Sequence, residues 1–338
     1  MGMDLGTSVV HIVMKEKGVV LSEPSYVAFE RDTRNVITVG TEAMRMFGRT
    51  PSGIAVERPF REAHIRSFDL VSKMMSYYLR EITGKRRAIR PRLYLALPSG
   101  MAPTERQTII DLAVDAGVRS VVPVDESVVS AIGGSVRIDQ PYGRMNVDIG
   151  GARTNLAVFS MGNQVKWSIE DFGGDRLDEA IMDYMRRKHN LMIGQRSAEV
   201  LKINLGSARG HGPKLEEETY GRSLISGLPR AVTVNSEEIT EALEPSLRDF
   251  VSLLHRFIEQ TPPELASDIF DAGITLSGGG ARLYGLDDLL TSQLNIQVHA
   301  ADEPELCVAR GLSELLNNPN AYEKINLRSP YREDEMLD

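Results

Sequence analysis

Two short segments, far apart in the chain, combine an aspartate with a glycine turn and could bind phosphate. The first is Asp4-Leu5-Gly6-Thr7-Ser8, and an apolar run from Val9 to Val13 follows it. The second is Asp148-Ile149-Gly150-Gly151, which lies between the apolar stretches 145–147 and 156–159. Each segment is typical of the tight turn of a β-hairpin, with the aspartate near the end of the incoming strand.

The residue types in these turns suit a magnesium polyphosphate. Glycine can adopt positive φ and lets the backbone approach a ligand closely, so that N–H groups converge on phosphate oxygens. A carboxylate would repel a phosphate, whereas it can hold the water shell of Mg²⁺. One such turn would be weak evidence, because Asp-Gly hairpins are common. Two of them, each between apolar strands, predict two related halves that clamp one polyphosphate.

A third glycine-rich segment follows an apolar strand at residues 274–277. The strand runs into Gly278, Gly279 and Gly280, and a helix is expected to begin at Ala281. Three glycines after a strand permit a flat, close contact with a base or a sugar. A flexible turn is the alternative, and this segment alone does not decide between the two.

The composition restricts the class of protein. The chain has 338 residues, 42% apolar and 25% charged, which are ordinary values for a globular protein with room for two domains. A formal net charge of −8 argues against nucleic-acid binding, and the single cysteine, Cys307, excludes an internal disulfide framework. The sequence has no 18-residue apolar run and no signal peptide, so a cytoplasmic location is expected.

The apolar patterns predict strands that alternate with helices, which is typical of α/β architecture. Strands are predicted at 92–97 and 121–124. Helices are predicted at 105–116 with Thr104 as the N-cap, at 127–132, at 177–189 and at 237–260. Pro245 is expected to kink or restart the last of these helices.

The ordered set of motifs resembles the MreB/Mbl family of bacterial actin-like cell-shape proteins. This family belongs to a superfamily that also holds sugar kinases and chaperone ATPases. The matching segments are 4–7, 21–25, 48–51, 98–100, 148–151, 173–175, 178–181, 227–230, 261–266, 277–281 and 307–311. So many ordered matches across one chain are far more specific than any single glycine motif.

The resemblance implies an actin-like ATPase fold of two lobes, with a nucleotide cleft between them. Each lobe would be a core subdomain that carries a smaller insertion. The first core would comprise residues 1–30, 67–138 and 311–338, with its insertion at 31–66. The second core would comprise residues 139–175 and 241–310, with its insertion at 176–240.

The resemblance also implies which residues bind ATP or ADP with Mg²⁺. Asp4 and Asp148 would hold hydrated Mg²⁺, although either could instead cap its turn. The β-phosphate would be bound by Gly6, Thr7 and Ser8, and the γ-phosphate by Gly150, Gly151 and Ala152. The base and ribose would lie against Glu199, Lys202 and Gly278 to Ala281. Glu199 and Lys202 stand three residues apart on a helix, so a surface ion pair between them is the alternative.

Glu126 is the candidate for orienting the water that attacks the γ-phosphate. The family places its catalytic glutamate in an Ile-Glu-Glu-Pro run, and this chain has Val124-Asp125-Glu126-Ser127 at that point. The alternative is an acidic residue at a helix N-terminus, where the helix dipole favours a negative charge.

The chain departs from the family pattern Asp-Ile-Gly-Gly-Gly-Thr-Thr-Glu at the second turn. The third glycine is Ala152, which would be unfavourable if this position needs positive φ. The first threonine, a partner of the catalytic glutamate in the family, is Arg153, which could clamp a γ-phosphate or block the attacking water. Nucleotide binding should therefore survive better than a weak ATPase activity. A second departure lies at Glu62 to Phe68, where acidic positions of the family are partly lost.

The resemblance implies self-association and contact with a membrane. It predicts head-to-tail homopolymers, paired as antiparallel double protofilaments, that recruit membrane proteins of the elongation machinery for the cell wall. The loop Lys85 to Arg90 carries four cations and Ile89, and could bind the inner face of the cytoplasmic membrane at about 1 kcal/mol per basic residue. A solvated loop is the alternative. Only three residues precede Asp4, so the amphipathic membrane helix of some relatives is not expected.

Three other functions stay open. A small-molecule kinase of the superfamily would use Asp125 or Glu126 as the base for a substrate hydroxyl. A chaperone-type ATPase would continue into a peptide-binding domain, which is not expected after residue 315. A degenerate paralogue would bind nucleotide with little hydrolysis and co-polymerise with an active partner, and Ala152 and Arg153 favour this possibility.

Overall fold

Two five-stranded sheets, each built around one of the Asp-Gly hairpins, organise the fold in a computed structural model of the chain. The structure describes residues 1–61, 64–65, 67–84, 90–210 and 214–327. The strands are β1 (Gly2–Leu5), β2 (Val9–Met14), β3 (Gly18–Pro24), β4 (Val27–Glu30), β5 (Val36–Val39), β6 (Ile54–Glu57), β7 (Phe60–Arg61), β8 (His64–Ile65), β9 (Arg92–Leu97), β10 (Ser120–Asp125), β11 (Arg144–Ile149), β12 (Thr154–Ser160), β13 (Asn163–Glu170), β14 (Leu191–Met192), β15 (Glu216–Ser223), β16 (Pro229–Asn235), β17 (Ile274–Ser277) and β18 (Val298–Ala300). The α-helices are α1 (Gly40–Met46), α2 (Phe68–Thr83), α3 (Pro103–Asp115), α4 (Glu126–Gly133), α5 (Gly174–His189), α6 (Gln195–Leu205), α7 (Ser236–Glu259), α8 (Pro263–Ala272), α9 (Leu286–Leu294) and α10 (Cys307–Asn317).

The two large sheets repeat one topology. In the first sheet, with strand order β10-β9-β1-β2-β3, an antiparallel meander of β1, β2 and β3 is extended by the parallel strands β9 and β10. In the second sheet, with order β13-β12-β11-β17-β18, a meander of β11, β12 and β13 is extended by the parallel strands β17 and β18. The predicted α/β class is therefore confirmed, and the chain contains two halves of the same design.

Each large sheet is accompanied by a smaller one of three strands. The order β5-β4-β6 forms the small sheet of the first lobe, and the order β14-β15-β16 forms that of the second lobe. We call the first lobe the part built on β10-β9-β1-β2-β3 and β5-β4-β6, and the second lobe the part built on the other two sheets. The residue boundaries predicted for the four subdomains stay predictions.

Helices α4 and α10 join the two lobes through a shared apolar cluster. The cluster includes Val13 of the first sheet, Phe159 of the second sheet, and Val129 and Leu312 of the two helices. A Cβ on Gly311 would overlap with the backbone carbonyl of Val129, so the two helices can approach this closely only because a glycine stands there.

Three local predictions need correction. Helix α3 begins at Pro103 with Ala102 as its N-cap, not after Thr104, because proline fits the first helical position, where its missing N–H leaves nothing unpaired. Helix α7 does not restart at Pro245. It is continuous, because buried side chains on both sides of the proline keep the whole helix packed against the core. Ala281 lies in a 3-10 turn, Gly279–Arg282, and the following α-helix starts only at Leu286.

Some predictions concern residues outside the described ranges. These are Lys85 to Ile89 of the predicted membrane loop, and Glu62, Ala63 and Arg66 of the second departure from the family pattern. Within the described ranges, no helix has both the length and the apolar character needed to cross a membrane.

Candidate functional site

The two Asp-Gly turns have the same construction. Strand pairing ends at Leu5 and Val10 in the first hairpin and at Ile149 and Thr154 in the second, so both hairpins are closed by equivalent turns. None of the described residues of either turn has positive φ. The glycines serve close approach instead, since a Cβ on Gly6 would overlap with the carbonyl of Val9. The backbone penalty considered for Ala152 is therefore absent.

The tips of the two turns touch each other. The N–H of Ala152 donates to Thr7 Oγ1 at 3.1 Å, and a Cβ on Gly151 would overlap with the hydroxyl of Ser8. The N–H of Gly150 closes its own turn, because it donates to the carbonyl of Arg153 at 2.9 Å. The phosphate-donor roles predicted for Gly150 and Ala152 would thus require these two hydrogen bonds to open.

A cavity of about 700 Å³ lies beside the joined turns. Most of the residues singled out from the sequence line it: Asp4, Gly6, Thr7, Ser8, Glu126, Asp148, Gly150, Gly151, Glu199, Lys202, Gly278, Gly279 and Gly280. Ala152 and Ala281 are buried next to it and are not part of its lining. The structure therefore brings together residues from both hairpins, from the start of α4, from α6 and from the turn after β17.

Asp4, Asp148 and Glu126 line the same cavity and lie within electrostatic reach of one another. Burial raises the pKa of Asp148 to about 7, and the negative charge of Glu126 adds to this shift. Burial also raises the pKa of Asp4 well above its usual value, with contributions from Glu126 and Asp148. Like charges that lie close together away from water disfavour ionisation, so a bound cation would reduce the repulsion between these carboxylates.

The donor set fits a hydrated Mg²⁺ better than a directly ligated metal. Within the described part of the chain, no three side chains among His, Cys, Asp and Glu come together as a metal-binding group. Mg²⁺ commonly keeps several waters and is held by one or two carboxylates together with substrate phosphates. Two buried aspartates beside a phosphate-sized space are consistent with that arrangement.

Arg153 of the second turn pairs with Glu126 at the start of α4. Arg153 Nη2 lies 2.6 Å from Glu126 Oε2, and the two side chains are only 8% and 13% exposed. Glu126 is thus the first residue of a helix, which was the structural alternative, and it also lines the cavity, as a residue that orients water must. The ion pair occupies an oxygen that would otherwise be free to orient a water molecule.

Asp125 is fully buried and does not line the cavity. It is the N-cap of α4, where Oδ1 accepts hydrogen bonds from the N–H of Ser127 and the hydroxyl of Ser99. Burial raises the pKa of Asp125 to about 6, although these hydrogen bonds oppose the shift. Its contacts are those of a capping residue, which leaves Glu126 as the only one of the two acids that faces the cavity.

The rest of the lining combines polar and apolar side chains. Lys202 pairs with the buried Asp178 at 2.7 Å and donates to the carbonyl of Gly174, instead of pairing with Glu199. Ile203 and Tyr284, which the sequence reasoning missed, line the cavity with 71% and 52% of their surface exposed. Gly278 has a φ of +79°, and a Cβ there would overlap with Asp148 Oδ1, so glycine is required at this position.

Arg58 is the main residue that the sequence reasoning missed. It follows β6, donates from Nη2 to the carbonyl of Thr7 at 2.9 Å, and pairs through Nη1 with Asp175 Oδ1 at 2.8 Å. It therefore links the small sheet and the turn of the first lobe to α5 of the second lobe. Asp175 belongs to one of the segments that carry the family resemblance, whereas no pattern in the sequence singled out Arg58.

Two lobes with one repeated sheet topology, joined by α4 and α10 and meeting at paired Asp-Gly turns, define an actin-like protein. Comparison with known proteins supports this class and identifies one family within it. The family described as MreB/Mbl protein matches residues 1–324, and the chain belongs to that family.

Named relatives cover nearly the whole chain. It is 41% identical over 327 residues to the cell shape-determining protein Mbl of Bacillus cereus, covering 97% of this chain and 98% of the relative. It is 41% identical over 316 residues to the cell shape-determining protein MreB of Escherichia coli, covering 92% and 91%. Among solved structures, MreB5 of Spiroplasma citri bound to ADP superposes with a TM-score of 0.90 at 30% identity, covering 95% of this chain and 96% of that one. The predicted family and the predicted actin-like fold are confirmed, and the protein is a bacterial actin-like cell-shape protein.

Proposed function

We propose that this protein binds ATP with Mg²⁺ between its two Asp-Gly turns and polymerises into filaments that organise cell-wall synthesis and determine rod shape. The observation that carries the proposal is the meeting of the two turns, which places Asp4 and Asp148 in the lining of a single cavity. Solved structures of MreB5 of Spiroplasma citri bound to ADP and to AMPPNP support an adenine nucleotide as the ligand.

Each part of the nucleotide has a suitable environment in the cavity. The hydroxyl groups of Thr7 and Ser8 and the backbone of Gly151 lie at the end where phosphates would bind, next to the two aspartates. Mg²⁺, once bound, would neutralise phosphate charge, with Asp4 and Asp148 holding its water shell. The base would lie against the glycine turn at 278–280, between the exposed apolar surfaces of Ile203 and Tyr284.

The Glu126–Arg153 ion pair favours a second candidate, a subunit that holds ATP with little hydrolysis and co-polymerises with an active partner. Hydrolysis adds water to the γ-phosphorus, breaks its bond to the bridging oxygen of ADP, and releases phosphate and a proton. Glu126 would orient that water through a carboxylate oxygen, and Oε2 is already bound to Arg153 at 2.6 Å. Turnover should therefore be slow, whereas nucleotide binding does not depend on a free Glu126.

Filament growth would occur next to the membrane. The family membership supports head-to-tail polymers, and a contact between two different surfaces of one subunit generates an open polymer by geometry. The basic segment from Lys85 to Arg90 would supply the membrane contact, and membrane proteins of the elongation machinery would be the further partners. Sedimentation with anionic vesicles tests this: removing the charges of Lys85, Arg86 and Arg87 should abolish co-sedimentation, and an unchanged pellet would contradict the membrane role.

Pelleting combined with phosphate release tests the two candidates. The wild type is expected to retain adenine nucleotide and to pellet with ATP more than with ADP or without nucleotide. Phosphate release that falls to background in Glu126→Ala would support the hydrolysing subunit. If the wild type polymerises but releases phosphate only at the background rate, the second candidate, which holds ATP with little hydrolysis, would be supported. Failure to retain any adenine nucleotide would contradict both candidates.

A further inference from the structure

The ion pair with Glu126 leaves a hydrogen-bond donor of Arg153 without a partner in the described ranges. Its side chain is buried at the wall of the cavity, where 8% of the side-chain surface remains exposed. Nη2 is bound to Glu126, whereas the buried Nε–H finds no acceptor among the residues that the structure describes. An unpaired buried N–H costs free energy, so the ion pair with Glu126 leaves the hydrogen-bonding capacity of this guanidinium only partly used.

The charge balance around Arg153 points to an anion that arrives together with a cation. Arg153 lines the same cavity as Asp4, Asp148 and Glu126, and its positive charge acts on both aspartates as well as on its partner Glu126. Arg153 is therefore within electrostatic reach of both sides of the phosphate end. A divalent cation at Asp4 and Asp148 would take over part of this neutralisation, which would leave the guanidinium available for a phosphate.

Two other cations of the cavity lining are already paired with acidic side chains. Lys202 is paired with Asp178, and Arg282 is paired with Glu305 beside the glycine turn after β17. Arg153, in contrast, is part of the second turn itself, and its backbone is fixed by the bond from the N–H of Gly150. In the proposed site, the last phosphate of a triphosphate held between the two turns would lie next to Arg153.

We infer that Arg153 is the residue by which this site distinguishes a nucleoside triphosphate from a diphosphate. Its guanidinium donates to oxygens of the terminal phosphate while Nη2 stays paired with Glu126. A diphosphate is one phosphate shorter and offers no oxygen at this position. The inference rests on the proposed nucleotide site and adds a specificity-determining residue to it.

Equilibrium binding of ATP and of ADP, both with Mg²⁺, tests the inference on the full-length protein. Hydrogen bonds to charged groups are worth enough that Arg153→Gln should weaken ATP binding by about 10- to 100-fold more than ADP binding. Arg153→Lys keeps the charge but lacks the planar fork, so it should recover only part of the loss. The matched control is Arg282→Gln, which removes one cation from the cavity lining beside the glycine turn after β17 and should change both affinities by similar factors.

The outcomes separate this inference from the proposed function. An equal change in ATP and ADP affinity in Arg153→Gln, or no change in either, would overturn the role of Arg153 while the nucleotide site stands. A wild type that binds neither nucleotide would overturn the proposed function and the inference together. If Arg153→Gln alone does not fold, the comparison is made in the double variant Glu126→Gln/Arg153→Gln, which leaves no unpaired charge. Relative to Glu126→Gln alone, the double variant should show the same loss of preference for ATP over ADP.

Discussion

The two Asp-Gly turns share a backbone design and differ in the arginine that holds each of them. The first turn is bound from outside by Arg58, which donates to Thr7 and pairs with Asp175 of the second lobe. The second turn carries its own arginine, Arg153, which pairs with Glu126 on the helix that follows β10 of the first sheet. Each arginine therefore connects the lobes, in opposite directions. The comparison shows that one repeated hairpin can be used twice while the charges around it are arranged differently.

The largest effect is expected when the Glu126–Arg153 pair is broken from one side. Without nucleotide, Glu126→Gln leaves a buried guanidinium uncompensated and should destabilise the protein by about 3 kcal/mol, at the lower end of the range for buried pairs. Adding Arg153→Gln should recover part of this loss. Urea unfolding of both single variants and the double variant measures the coupling, and additive changes would show that the pair contributes nothing as a pair.

Removing the other arginine should have a somewhat smaller effect. Arg58→Gln loses hydrogen bonds from a charged donor to Thr7 and Asp175, so a loss of about 2 kcal/mol in the free energy of unfolding is expected. The control Arg45→Gln breaks the exposed pair with Glu42 and should change stability by less than about 0.5 kcal/mol. Equal losses in the two variants would mean that Arg58 does not link the lobes.

The equivalent glycines of the two turns should tolerate a methyl group to different extents. Gly6→Ala places its Cβ onto the carbonyl of Val9, within one tight turn, and should cost about 2 kcal/mol. Gly150→Ala brings its Cβ to 3.0 Å from the carbonyl of Arg153, which a small backbone shift can relieve, so a loss below about 1 kcal/mol is expected. Thermal or urea unfolding compares them, and the reverse order would refute the geometric difference between the turns.

A pH effect tests the helix that holds Glu126 against the second turn. Asp125, its N-cap, has a folded-state pKa of about 6, raised by burial above its unfolded value of 3.8. Between these values Asp125 binds more protons in the folded state than in the unfolded state, so its contribution to stability falls as the pH rises, by about 1 kcal/mol between pH 5 and pH 6. Asp125→Asn keeps a capping oxygen and should flatten this part of the curve. An unchanged slope would show that another group is responsible.

The sequence predicted the local elements better than the contacts between them. Both hairpins, the strand before the glycine triplet and the helix after β10 follow from local patterns of apolar residues and glycines. Arg58 could not be found this way, because its partners Thr7 and Asp175 lie 51 and 117 residues away along the chain. Arg153 was recognised as a departure, but whether it contacted Glu126 depended on how two separate elements pack. Of the two reasons expected for the turn glycines, positive φ does not apply, and the close approach is to other atoms of the protein.

The Mg²⁺ dependence of ATP binding in Asp4→Asn, Asp148→Asn and the double variant tests the central claim most directly. If both aspartates hold one hydrated ion on a single triphosphate, each single variant should lose most of the gain in ATP affinity that Mg²⁺ gives the wild type. The double variant should then lose little more, because the two side chains act on the same ion. Mg²⁺-independent binding in the wild type, or a Mg²⁺ dependence that only one of the two aspartates controls, would contradict the account.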